Sequence, residues 1–428
     1  VTSPPVARRR FLADTTPLRE VPAFRWLWIG QSLAGIGTQL TVVTVGLQVY
    51  ALTSSTFSVG LVGVFALVPL VGLGLYGGAL VDAHDRRRVA LLASVVLWVV
   101  SLAIAAQAWW HVDSVELLYG LVAVQSAAFA VNNPARSAIV PGIVPRHLLP
   151  AANALSGTTN AIALTVGPLL AGFLVGGWGF QAAYTVDAVT FVAALAGVWR
   201  LPPMPPDAGE EVRRPGLRSV LEGIAFLGTR PNIRATFLAD LCAMVFAMPR
   251  VLYPALGAVE LGGGARTVGI LGAGFAVGSV LAGLFSGRLG AVRRQGAFVV
   301  GCVVAYGAAV AAFGLVLVLA PDGADWKLWL CVVLLAASGA ADAVSSIFRG
   351  TILQVATPDA LRGRLQGVFI VVVAGGPRLG DLVLGSAADG IGEGFAALAG
   401  GAACVAGVLV LANRQRGFLR YDARHPTA

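Results

Sequence analysis

Apolar runs of about 20 residues or more, the length that crosses a hydrocarbon core, alternate with short polar connectors along the whole chain. They fall at Trp26–Leu52, Val59–Val81, Val89–Trp109, Val115–Val140, Leu148–Val175 and Gln181–Leu201. After a linker come Ile233–Leu256, Thr267–Gly287, Gly296–Ala320, Trp326–Leu353, Leu365–Ala388 and Phe395–Asn413. No stretch between them has the composition of an aqueous domain, so each run must satisfy its backbone internally, as a helix. The pattern predicts an all-α multi-pass membrane protein of about twelve transmembrane helices. Trp26, Trp28, Trp109, Trp110, Trp178, Trp199, Trp326 and Trp329 lie near the run ends, where indole rings settle at a membrane interface.

The second half of the chain repeats the first. Ala130, Val131, Arg136, Ile139, Pro145 and Leu148 recur as Ala343, Val344, Arg349, Ile352, Pro358 and Leu361, at an offset of 213. Gly167, Leu169 and Gly172 recur as Gly380, Leu382 and Gly385 at the same offset. Ser58–Gly63 matches Thr267–Gly272 at an offset of 209. Two like bundles facing one another are how a secondary transporter gives one site two alternative openings. The expected divisions are a tail over 1–25, a first six-helix bundle over 26–201, a linker over 202–232, a second bundle over 233–413 and a tail over 414–428.

Composition agrees with a membrane solvent. The chain is 57% hydrophobic and 12% charged, against about 25% charged residues in a soluble domain, and its mean hydropathy is +0.81. The net charge of +9 needs no nucleic acid to explain it. Most basic residues gather in alternate connectors (Arg8–Arg25, Arg86–Arg88, Arg136 with Arg146, Arg200–Arg234, Arg288–Arg294, Arg349–Arg364, Arg414–Arg424). The connectors between hold Arg266 and Lys327 against Asp113, Glu116, Glu260, Asp322, Asp325, Asp389 and Glu393. The positive-inside rule then predicts both termini in the cytoplasm. Abundant Ala, Arg and Gly beside a single lysine suggests a GC-rich bacterium, and the expected location is its plasma membrane. The first 25 residues hold no apolar core, so no cleaved signal is expected.

Pro202–Pro215 is rich in proline and charge and reads as an extended linker. Leu217, Val220, Leu221, Ile224 and Leu227 follow at helical spacing, which predicts an amphipathic helix on the membrane surface.

Several chemistries find no support. Cys242, Cys302, Cys331 and Cys404 lie in apolar runs without CxxC spacing and read as packing residues. Gly72-x-Gly74-x-x-Gly77 sits mid-helix with no strand before it, so it is no dinucleotide site. Lys327 lies outside any phosphate-binding loop, and no His/Asp metal cluster or nucleophile motif is present. No cofactor is expected, and the chain does not read as an enzyme.

Gly78-Ala-Leu-Val-Asp82-Ala-His-Asp-Arg86-Arg87-Arg88, between the second and third runs, resembles the GxxxDxxxRR loop of the major facilitator superfamily. Gly78 allows close helix contact, while Asp82 at a helix end can pair with Arg86 or Arg87. Such a cluster predicts a cytoplasmic latch, broken as the bundles rock. Arg250–Leu256 (RVLYPAL), Thr357–Arg364 (TPDALRGR) and Pro145–Ala154 (PRHLLPAANA) resemble the enterobactin-exporter-like branch of that superfamily. The resemblance covers nearly the whole chain and implies twelve helices, alternating access and proton-driven export of siderophore-like or drug-like molecules. Leu121–Ser126 (LVAVQS) departs from the arginine that many proton antiporters carry in the fourth span. The fifth-span antiporter signature is partial, at Gly167-Pro168-x-x-Ala171-Gly172.

Charges inside a membrane are expensive and default to function. Asp187, Asp240, Arg250, Asp342, Arg378 and Asp381 fall inside the runs. At about 1.5 Å per residue, Arg250 and Asp381 share a depth and can pair, with Arg378 on the same helix face as Asp381. Asp187, in the sixth run, reads as structural. Asp240 and Asp342 show no evident partner. No histidine lies within a run, so a carboxylate must carry any side-chain proton. The expected coupling and cavity set is therefore Asp240, Asp342, Arg250, Arg378 and Asp381, with the proton as coupling ion. Gln31, Gln125, Asn132, Asn133, Asn160, Ser345 and Ser346 are further cavity candidates. These features predict a monomer in the lipid bilayer carrying a small organic molecule. They leave open an importer, since rocking is reversible, and a non-transporting membrane sensor or scaffold.

Overall fold

A computed structural model describes residues 14–205, 225, 227–285, 292–321, 324–356 and 362–422. After a short helix α1 (Thr16–Glu20), the first half comprises α2 (Pro22–Thr53), α3 (Thr56–Ala83), α4 (Arg86–Trp109), α5 (Val115–Ile143) and α6 (Leu149–Trp199). The second half comprises α7 (Pro231–Phe246), α8 (Ala265–Leu284), α9 (Gln295–Leu319), α10 (Asp325–Ala356), α11 (Arg362–Ile391) and α12 (Glu393–Arg414). Among the described residues, ten stretches are long and apolar enough to cross a membrane. One of them must cross twice. Helix α6 runs 51 residues, about 76 Å at 1.5 Å per residue, against a hydrocarbon core of about 30 Å. It folds back at Gly179, whose φ of 79° and ψ of 179° suit glycine and strain other residues. The 30-residue α11 completes twelve spans in two six-helix bundles. The sequence pattern expects a connector between Val175 and Gln181; one glycine turns the chain instead.

Large apolar side chains stay exposed along these helices, among them Val68, Leu92, Val189 and Leu284, as a surface solvated by lipid tails requires. Trp26, Trp109, Trp110, Trp178, Trp199, Trp326 and Trp329 are exposed near helix ends, and the Arg200 guanidinium stands 4.5 Å from the Trp26 ring centre. The belt expected from the sequence is therefore present. Lys327 differs from expectation. Counted by charge with the outward connector although it falls in the expected run Trp326–Leu353, it is 2% exposed inside α10.

An even number of spans puts the start of α2 and the end of α12 on one face, called here the terminal face. The halves touch toward the opposite, far face. A Cβ on Gly60 of α3 would stand 2.5 Å from the Asp381 carbonyl oxygen of α11, and one on Gly385 would stand 2.7 Å from that of Thr56. A Cβ on Gly172 of α6 would stand 2.5 Å from the Ala265 carbonyl oxygen of α8. These bare glycines let backbones of opposite halves meet. Toward the terminal face the space beside Gly72 and Gly74 of α3, Gly157 of α6 and Gly283 of α8 is empty. These close backbone contacts between the halves thus lie toward the far face.

The seventh span is broken where the sequence expects an unbroken helix over Ile233–Leu256. Helix α7 ends at Phe246, and the chain continues through a 3-10 turn (Pro249–Leu252), one helical turn (Tyr253–Ala255) and a π segment (Leu256–Glu260). Pro249 and Pro254 each lack an amide donor, which weakens the helical ladder here. The freed Ala247 carbonyl accepts a hydrogen bond from the Tyr306 hydroxyl, 2.9 Å. Gly380 and Gly400 make room for the Met244 and Phe246 carbonyls. Irregular backbone at membrane depth survives only when it is covered in this way.

The linker and most of the amphipathic helix expected after it fall outside the described residues. Residues 227–229 are helical, and Leu227 is buried.

Candidate transport site

Five of the charged residues inside the spans, Asp240, Asp342, Arg349, Arg250 and Asp381, gather in the second half, in two clusters. The first lies toward the terminal face. Arg349 of α10 places Nη1 2.9 Å from Asp240 Oδ1 of α7, and Nη2 3.2 Å from Asp342 Oδ1 one helical stretch back on α10. The sequence suggests that both carboxylates lack a partner. The structure corrects that: one guanidinium serves both. Arg349 is read from the chain as a connector charge, although the repeat singles it out. Its seven-residue setback from Ala356 and its long side chain carry the charge into the span. Thr236, Phe237, Asp240, Arg349 and Leu353 line a cleft beside the cluster. Two carboxylates against one arginine leave an excess negative charge in a covered place. One bound proton would neutralise that excess without breaking up the cluster.

The second cluster sits at the break after α7. The 3-10 turn carries Arg250, and α11 carries Asp381. Arg250 Nε lies 2.9 Å from Asp381 Oδ1, and Nη2 closes a second bond to Oδ2. This is the two-pronged geometry that makes an arginine–carboxylate pair strong. Asp381 is buried, whereas the Arg250 side chain keeps 41% exposure. Arg378, one turn before Asp381, is half-buried, and its backbone faces Gly63 of α3 across the contact between halves. The pairing expected from equal depth is found, and Arg250, not Arg378, is the partner that grips Asp381.

A third polar group joins the halves at the far face. Asp389, near the end of α11, accepts the Ser55 hydroxyl at 2.6 Å and the backbone N–H groups of Thr56 and Phe57 at 2.7 and 3.2 Å. Glu393, the first residue of α12, accepts the Thr56 hydroxyl at 3.1 Å. The first turn of α3 thus receives acceptors from the other bundle for its unpaired N–H groups, with negative charge at the positive end of its dipole. In sequence these two acids read only as charges in an outward connector. Nothing local in the chain says that α3 begins beside the end of α11.

The remaining candidates divide. Gly78 and the Asp82 backbone lie in α3, and their side-chain surroundings fall outside the description. Arg87 donates to the Trp199 carbonyl at 2.6 Å. The Arg86 backbone N–H donates to the Met204 carbonyl. Asp85 caps α4 at the Arg88 N–H and accepts the Met204 N–H. The contacts of Arg87 and Asp85 thus stay within the first half. Asp187 is 1% exposed, accepts the Ser101 hydroxyl at 2.9 Å and lies over Gly37 of α2, a packing position among three helices. Asn132 is buried and donates to Ala90 and Ser94 of α4, so it is no cavity residue. Asn133, Asn160 and Ser346 are exposed. Among the described residues no group of His, Cys, Asp and Glu is arranged to hold a metal.

Comparison with known proteins bears on the same residues. Residues 13–420 match the family described as transmembrane secretion effector. The enterobactin exporter EntS of Citrobacter koseri is 30% identical over 382 residues, 88% of each chain. That of Shigella boydii is 29% identical over 408 residues, 94% of this chain and 93% of the relative. Among solved structures, the POT family transporter PepTSo aligns with a TM-score of 0.73 at 12% identity, covering 94% of this chain and 99% of that one. The nucleoside transporter NupG aligns with a TM-score of 0.69 at 15% identity, covering 94% of this chain and 100% of that one.

Proposed function

Since the chain belongs to the transmembrane secretion effector family of major facilitator transporters, we propose that it exports a small amphipathic organic molecule across a bacterial plasma membrane in exchange for protons. The relatives named as enterobactin exporters favour siderophore-like cargo, with drug-like cargo next. In this reading the basic connectors put the terminal face in the cytoplasm, and the close contacts toward the far face support an inward-open state that loads cargo. The observation that carries the coupling is the Asp240–Arg349–Asp342 cluster. In this reading the two acids hold an exchangeable proton, and cargo or the moving helices displace it. Arg250, Asp381 and Arg378 fix the broken seventh span against α11 at the floor of the closed far side. Asp82 and Arg86 with Gly78 and Arg87 form the cytoplasmic latch of the opposite state.

Everted membrane vesicles test the proposal. Cargo accumulation must follow an imposed pH gradient and collapse with an uncoupler. Asp240→Asn and Asp342→Asn should fold, because each leaves Arg349 one carboxylate, yet lose uphill accumulation while keeping downhill exchange. If both variants still accumulate cargo under a pH gradient alone, the proton is carried elsewhere.

A further inference from the structure

Arg136 and Arg349 are corresponding positions of the internal repeat. Each stands seven residues before the last residue of its helix, Ile143 in α5 and Ala356 in α10. That is about 10 Å from the helix end at 1.5 Å per residue. Their surroundings differ. Arg349 holds two carboxylates. In the first half, Phe129 occupies the position that corresponds to Asp342, and Arg136 Nε and Nη2 meet no acceptor. The same Nε–Nη2 edge is the one by which Arg250 grips Asp381. It is the edge whose spacing matches a carboxylate or another planar oxyanion.

Arg136 is half-buried and borders a strip of exposed positions on α5, Phe129, Asn133 and Ser137. These recur every four residues and share one helix face. Leu117, Gly120 and Val124, exposed in the far half of α5, lie on a different side of the helix. Asn133 and Ser137 beside Arg136 make the terminal half of this strip polar, which does not suit hydrocarbon and suits a water-filled opening on the terminal side. An arginine edge covered and left without an acceptor is destabilising, and an entering anion relieves it.

We infer that Arg136 is an anion-binding residue of this opening, and that the carboxylate-type group it takes belongs to the transported molecule. This rests on the export reading above and adds the charge of the cargo to it. The second half of the site holds acids; the first half supplies the complementary cation.

The test uses the full chain in phosphatidylcholine nanodiscs and two radiolabelled probes of one shape, salicylate and its neutral amide salicylamide. The wild type should bind salicylate about tenfold tighter than the amide, as expected for one two-pronged charged contact. Arg136→Gln should bring that ratio close to one. Arg136→Lys keeps the charge for folding but lacks the fork, and should lower the ratio several-fold; it carries the test if the glutamine variant fails to fold. A wild type without preference, or a preference unchanged in both Arg136 variants, overturns the inference. So does loss of the preference in phosphatidylglycerol discs, which would assign the edge to lipid headgroups. Flux in everted vesicles judges export separately. A chain that pumps without an Arg136-dependent preference sinks only the anion site, and one that shows the preference but does not pump sinks only the export reading.

Discussion

Removing the Asp389 carboxylate should open the far face. Three hydrogen bonds end on it, from the Ser55 hydroxyl at 2.6 Å and the Thr56 and Phe57 amides at 2.7 and 3.2 Å. A hydrogen bond to a charged group is worth about 1.5–3 kcal/mol when water is excluded. Asp389 is exposed, so water competes for every one of these donors and screens the charge. The set together is then worth roughly 1–3 kcal/mol of preference for the closed far face. A difference of that size changes the ratio of the two states by roughly 5–150-fold. Folding should suffer less, because Ser55 still caps its own helix through the Ser58 N–H, 3.1 Å. The assay is double electron–electron resonance on a background without the four native cysteines. Labels go on Val112, in the connector after α4, and Leu319, at the end of α9, both exposed at the far face. The wild type should give a short distance. Asp389→Ala should add a longer population, and Asp389→Asn should add less, since its amide keeps one acceptor. If Asp389→Ala is folded and its closed fraction matches the wild type, the bonds are incidental and the far face is held by apolar and glycine packing.

Other outcomes follow from the same geometry. Arg349→Gln should lower thermal stability in detergent far more than Asp240→Asn or Asp342→Asn. It strands two covered carboxylates, where breaking a buried pair costs about 3–5 kcal/mol. Asp381→Asn should reduce folded yield by a smaller free energy, about 1–3 kcal/mol, because Arg250 remains partly exposed; fluorescence-detected size exclusion measures it. Gly179→Ala should destabilise by about 1–2 kcal/mol, read as a lower melting temperature, since its φ of 79° disfavours a side chain. Cysteines at Ser114 and Met204 should label from outside and inside respectively in intact cells; the reverse pattern would turn the topology over.

The twelve spans, the repeat and the Arg250–Asp381 pair were legible in the chain because each depends on spacing along one axis. Depth in a membrane is nearly a linear function of residue number, so equal depth could be read from sequence. Azimuth could not. Whether Arg349 turns toward α7 or away from it depends on how helices pack, and so the shared counter-ion of Asp240 and Asp342 escaped notice. The repeat did mark the residue, since an arginine at corresponding places in both halves is not a random connector charge. The break after Phe246 was hinted by Pro249 and Pro254, yet proline alone is a poor guide here. Pro69, Pro134, Pro141, Pro168 and Pro377 all lie inside continuous helices. What distinguishes the seventh span is a neighbour, Tyr306, and two glycines placed to accept the freed carbonyls.

The distribution of polar contacts between and within the halves accords with alternating access. The Asp240–Arg349–Asp342 cluster and the Arg250–Asp381 pair each lie wholly within the second half. Rigid-body rocking need not break them, which matters because separating buried charges costs several kcal/mol. Hydrogen bonds from Ser55, Thr56 and Phe57 to Asp389 and Glu393 cross between the halves. They lie at the rim of the far face, where water can replace each bond as it is lost. Deeper in the contact, the halves meet through backbone and glycine, at Gly60 against Asp381 and Gly172 against Ala265. Side chains of both halves also share one buried apolar cluster, among them Val49 and Val59 of the first half with Leu252 and Leu384 of the second. Under the export reading, the charged pairs are thus carried inside one body, and the polar contacts at the far rim that a cycle would break are ones for which water is a ready substitute. A side chain added at Gly60 or Gly172 should therefore act like the loss of Asp389. Gly60→Ala and Gly172→Ala should each shift the Val112–Leu319 distance toward the open far face, by steric exclusion rather than by loss of a bond. If Gly60→Ala leaves that distance unchanged, the backbone contact does not set the closed state, and the rim bonds with the apolar cluster shared by the halves must hold it.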